Sequence, residues 1–149
     1  MSLYCYKILR ANKTSGGFPC DPFYLGEYDL KNNHTSVTDI DHIFAYLNYG
    51  TIVAQVEIDK DSDLIYHSET LYTGGEQISW WEINKFNIIS FMDINEISTI
   101  NKLVSYGADI TADNYRLFKY ALYHNTNLWN YLSDKYSYLI RCNYSLFSE

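Results

Sequence analysis

The hydrophobic rhythm of this chain changes once along its length, and the change dictates a molecule in two structural halves. Across residues 51–58, Ile52, Ala54, Val56 and Ile58 alternate with Thr51, Val53, Gln55 and Glu57, the two-residue period of a strand with one buried face. From Asp93 onward the spacing is helical. Ile97, Ile100, Leu103 and Val104 fall at i, i+3, i+6 and i+7, and Gly107 ends the stripe. Leu117, Tyr120, Ala121 and His124 define a second short stripe, and Leu128, Trp129 and Leu132 a third.

The remaining elements follow from residue type. Leu3 to Leu9 is rich in strand formers and predicts an opening strand. Gly16-Gly17, Pro19, Pro22 and Gly26 mark a loop, interrupted by a short strand at Phe23-Tyr24-Leu25. Thr38 followed three positions on by Asp41 has the form of a capping box, with Ile40, Ile43, Phe44 and Leu47 at helical spacing behind it. Gly50 then closes this helix as a left-handed C-cap. Asp59 to Asp63 is a charged turn, Leu64 to His67 a short strand, and Thr73 to Glu76 a further turn. Ile78 to Phe91 predicts one or two strands. The expected fold class is α+β: a β-rich N-terminal part with one helix over residues 1–92, and a short all-helical tail over 93–149 packed on it.

Composition removes several function classes. A net charge of −7, with no run of Lys or Arg, lacks the basic patch that neutralises phosphates, so no nucleic acid is expected as a partner. Apolar runs are far shorter than the roughly 20 residues that span a bilayer, and Met1 to Arg10 lacks the form of a signal peptide, so no membrane is expected either. Cys5, Cys20 and Cys142 are an odd, scattered set, as expected of reduced thiols in an intracellular compartment. The 16 Tyr suit half-buried sheets and contact surfaces, although AT-rich coding sequence would enrich Tyr, Asn and Ile alike.

Leu103-Val104-Ser105-Tyr106-Gly107-Ala108-Asp109-Ile110-Thr111-Ala112-Asp113-Asn114 resembles the junction between two ankyrin repeats, in the variant of mimivirus-type giant-virus families. Tyr6 to Leu9, Gly17-Phe18, Ile43 to Thr51 and Val53 to Ile58 resemble the leader domain that precedes ankyrin arrays in those viral proteins. The chain departs from the general ankyrin pattern at Tyr115-Arg116-Leu117-Phe118, where Thr-Pro-Leu-His would stand, and at Lys135-Tyr136-Ser137, where a second turn motif would fall. The tail is therefore a truncated ankyrin-like segment, since a free array needs at least about three repeats. The resemblance implies a non-enzymatic protein-interaction module in the host cytoplasm, with a viral or host protein as partner and virion association as a variant.

Candidate chemistry is sparse. Cys20 with His34 would be a thiol and base for a small enzyme, the principal alternative, but nothing in their spacing supports a nucleophilic pair over a loop thiol and a surface histidine. His34, His42, Cys20 and Asp21 lack the paired spacing of a zinc site, and Asp59, Asp61 and Asp63 lack the Gly and distal Glu of a calcium loop. No catalytic residue, metal or cofactor is expected. Trp80 and Trp81, adjacent on a strand, point to opposite faces, so at most one enters a core. Trp80, Trp81, Tyr115, Tyr120, Tyr123 and Trp129 are the expected interaction residues, because Trp and Tyr are enriched in interfaces. Self-association as a homodimer would cover apolar surface left by a truncated repeat.

Overall fold

In the computed structural model, residues 3–15, 20–70 and 77–147 are described. The turns expected at Gly16-Gly17 and Thr73 to Glu76, and Phe18, lie outside them. Among the described residues seven strands form one antiparallel sheet: β1 Leu3–Leu9, β2 Gly26–Asp29, β3 Thr35–Thr38, β4 Ile52–Ile58, β5 Ile65–Thr70, β6 Gln77–Ile83 and β7 Lys85–Asp93. Their order across the sheet is β2-β7-β4-β1-β3-β6-β5. A 3-10 helix, Ile43–Tyr49, joins β3 to β4. The helices α1 Ile97–Ser105, α2 Ala112–His124, α3 Thr126–Lys135 and α4 Ser137–Cys142 follow the sheet. The chain is thus α+β.

Connectivity forces the sheet to roll. Only Asn84 separates β6 from β7, so Ile83 and Lys85 lie at most about 7 Å apart. In the strand order, β4, β1 and β3 stand between β7 and β6, which on a flat sheet means roughly 19 Å. The sheet therefore closes toward itself and encloses one face. Cys5, Leu9, Val37, Ala54, Val56, Ile83, Phe86 and Ile88 fill that interior. Phe23, expected in a short strand, is instead a plug within it: fully buried, with its ring 5.4 Å from Tyr28 and 6.3 Å from Phe86.

Asn84 holds the corner where β6 becomes β7. It is a buried polar residue whose amide nitrogen donates to the Lys31 carbonyl at 2.8 Å, while its side-chain oxygen accepts from the Asp63 amide at 2.9 Å. Ser62 Oγ accepts from the Asn84 and Lys85 amides at 3.1 Å each, so the bend leaves these backbone donors satisfied.

The outer face of β1 and β4 carries the helices. Tyr6, Ile8, Val53 and Ile78 share one buried cluster with Phe44 and Leu47 of the 3-10 helix and Ile100, Leu103, Leu117, Phe118, Leu128 and Leu132 of the tail. The ankyrin-like reading of the tail does not hold as architecture. The tail does pack on the sheet and the 3-10 helix, as expected, but α2 opens with Asp113, Asn114 and Tyr115 at φ of 51°, 56° and 64°, which is not the start of a regular repeat helix. The Gly107 turn itself forms as expected: at φ 112° it lets Gly107 donate to the Val104 carbonyl and Ala108 to that of Leu103, a Schellman closure.

Two local expectations are corrected. Thr35–Thr38 is a strand paired with Trp80–Ile83, so Thr38 caps no helix; Asp39 instead accepts from the His42 amide at 3.2 Å. Gly50 is not left-handed, its φ of 161° being extended backbone. Its glycine is required by close approach, since a Cβ there would collide with the Leu9 carbonyl.

Candidate functional site

β1 and β3 are neighbours in the sheet, yet they pair in register only at Tyr6 and Thr38. By contrast β1 pairs with β4 along its whole length, from Leu3 with Ile58 to Leu9 with Ile52. The seam between β1 and β3 opens into a cavity of about 580 Å³, within the roughly 300–1,000 Å³ range of ligand pockets. The strands supply Tyr6, Lys7 and Ile8 on one side and Thr35 to Thr38 on the other. The 3-10 helix adds Tyr46 and Tyr49, and β6 adds Ile78 and Trp80.

Lys7 is the unusual member of this wall. It lies on β1 between Cys5 and Leu9, both of which face the rolled interior, at a position where alternation asks for an apolar side chain. Its amine donates to the Ser36 carbonyl at 2.7 Å, bridging the seam where the ladder has stopped. Among the described residues no carboxylate pairs with it. Burial of this uncompensated charge depresses the amine to about 8.

Two hydroxyls in the wall are also short of partners. Thr35 is only 4 % exposed and its Oγ1 makes no hydrogen bond. The Tyr46 phenol is pushed up to about 12 by burial and remains a neutral donor. The Thr38 hydroxyl lies close enough to ease this shift, yet no hydrogen bond of good geometry reaches the phenol oxygen.

A second cavity, of about 300 Å³, continues along α2 and is lined by Tyr120, Tyr123 and His124. Asn48, Asp113 and Arg116 line both cavities, so the two lie side by side. Asp113 is buried and ion-paired with Arg116 through its Nε, and it opens the left-handed turn of α2 at the junction.

The six expected interaction residues do not share one surface. Trp80 lines the cavity, its ring 5.2 Å from that of His67 and nearly parallel to it. Trp81 faces the other side of the strand and packs against the rolled interior. Tyr120 and Tyr123 border the second cavity, and the Tyr120 hydroxyl donates to Asn95 Oδ1 at 2.6 Å. Tyr115 and Trp129 lie elsewhere, each with its ring about 6 Å from Phe147. Cys20 is exposed and does not line the cavity. His34 does, but its Nε2 pairs with Asp63 at 2.9 Å. Among the described residues no group of three or more His, Cys, Asp or Glu is placed to hold a metal ion. Nor is any helix among them long and apolar enough to cross a membrane.

Sequence reasoning missed Lys7, Thr35 and Tyr46. A lysine at an inward-facing position of an otherwise apolar strand was the one available signal. Thr35 and Tyr46 carry none, because what distinguishes them is the missing partner. No protein-family model, curated protein or solved structure matches the chain. The likeness to giant-virus leader domains thus stays an expectation from sequence.

Proposed function

We propose that the chain is a non-enzymatic protein-interaction module that takes an extended segment of a partner protein into the groove at the β1–β3 seam. The observation that carries this reading is the seam itself: two adjacent strands that stop pairing after Tyr6 and Thr38 and enclose a cavity between them. Aromatic residues Trp80 and Tyr49 in the lining, and a second cavity beside the first at Arg116, suit a peptide better than a compact metabolite. Selection of random peptides against the full chain tests it. Recovered peptides are expected to lose binding to a Ser36→Trp variant, which fills the groove from an exposed position. Peptides that bind this variant as well as the parent, or no enrichment at all, would overturn the reading.

One observation favours a second reading. A buried amine near pH 8 in a cavity is what Schiff-base chemistry needs. Borohydride trapping of a carbonyl compound on Lys7, read by peptide mass, would decide for an enzyme.

A further inference from the structure

We propose that the groove captures a carboxylate of the partner segment, its C-terminal group or an acidic side chain, on the Lys7 ammonium with the Thr35 hydroxyl as a second donor. The inference rests on the groove being the recognition site, and it names the chemistry recognised there.

An ammonium carries three N–H groups. In this structure one of them has an acceptor, the Ser36 carbonyl at 2.7 Å. Lys7 is half-buried beside this cavity and, among the described residues, no counter-charge pairs with it, so an anion entering the cavity meets an unneutralised cation. Thr35 is the chain neighbour of Ser36 and lines the same cavity, and its buried Oγ1 is likewise unpartnered. Lys7 and Thr35 thus border the same cavity, and a carboxylate entering it brings two oxygens and about four acceptor sites for these donors, with the Thr35 hydroxyl turning outward to meet it. Trp80 borders the same cavity from the opposite face of the sheet, across the open seam from Lys7. Arg116 also borders the cavity, but Asp113 at its Nε supplies a counter-charge that Lys7 lacks among the described residues, which makes Lys7 the stronger site for an added anion. Glu69 also borders the cavity but is exposed on β5, where water screens its charge.

The test uses the full chain, labelled with nitrogen-15, and three small probes. These are N-acetyl-phenylalanine, its amide N-acetyl-phenylalaninamide, and N-acetyl-glutamic acid α-amide. The acids are expected to shift the Thr35 and Ser36 amides and the Trp80 indole at concentrations roughly tenfold below those the phenylalaninamide needs, the margin of a charge-assisted hydrogen bond. The better of the two acids identifies a C-terminal or a side-chain carboxylate. Lys7→Met should abolish the preference for acid over amide, and Thr35→Val, a near-isosteric change, should reduce it several-fold. Equal titration by acid and amide at the same signals would overturn the carboxylate while leaving the groove as a peptide site. So would a preference that survives Lys7→Met. No shift at these signals from any probe would overturn both.

Discussion

Lys7 does in one strand what no apolar residue there could do: it carries charge into the rolled sheet and ties off the Ser36 carbonyl at the point where the β1–β3 ladder ends. The consequence is measurable. Burial lowers its amine from 10.5 to about 8, so between those two pH values the unfolded chain holds a proton that the folded chain has shed. Stability owed to this residue is therefore lowest below pH 8 and rises with pH through that window. Paired urea titrations of the parent and Lys7→Met should show the parent gaining on the variant from pH 8 to 10.5, by at most about 3 kcal/mol. A pH-independent difference would contradict the burial of the amine. The paired design matters because Cys5, Tyr6 and Tyr46 are raised by burial and act with the opposite sign at alkaline pH. The abundant Tyr and Asn also find structural use, whatever their coding origin. Tyr120 donates to Asn95, Tyr131 to Asn101, and Asn143 to Tyr115, and each bond spans elements distant in sequence.

At the scale of elements, legibility followed the range of the interactions. β4 and α1 were readable because their apolar spacing is local and unbroken, β1 because its residues are strand formers, and the Gly107 turn because its hydrogen bonds close within six residues. β3 was not. Thr38 and Asp41 fit a helix-start pattern, and only pairing with Trp80–Ile83, more than 40 residues away, makes the segment a strand. The short strand placed at Phe23 failed for a related reason: its ring is demanded by an interior that exists only once the sheet has rolled. In α2 the structure departs from any propensity argument, since three successive non-glycine residues adopt left-handed angles at the waist between the two cavities. Such residues cost of order 1–3 kcal/mol when strained, less for Asn than for others. At φ 56° Ala incurs the left-handed cost that Gly avoids, so Asn114→Ala should be less stable than Asn114→Gly by about 1 kcal/mol in thermal or urea unfolding, despite the extra unfolded-chain entropy of Gly. Ala as stable as Gly or more so would mean that the turn is not left-handed.

The whole molecule combines a rolled sheet with helices laid on its outer face, and one buried cluster crosses from Tyr6 and Val53 to Leu128 and Leu132. The two-part division was visible in sequence as a change of period, but the groove was not, because it arises from a missing stretch of pairing between β1 and β3. Of the expected interaction residues, Trp80, Tyr120 and Tyr123 border this groove, while Tyr115 and Trp129 pack their rings near Phe147. The central claim is that recognition happens at the seam. Its most direct test is the amide and indole spectrum of the labelled chain, recorded with and without a peptide recovered by selection. Shifts clustered on Lys7, Ser36, Thr38, Tyr46 and Trp80 are the predicted result. A cluster instead on the exposed residues Leu64, Ile65 and Tyr66 by the sheet edge, with the seam unmoved, would contradict it.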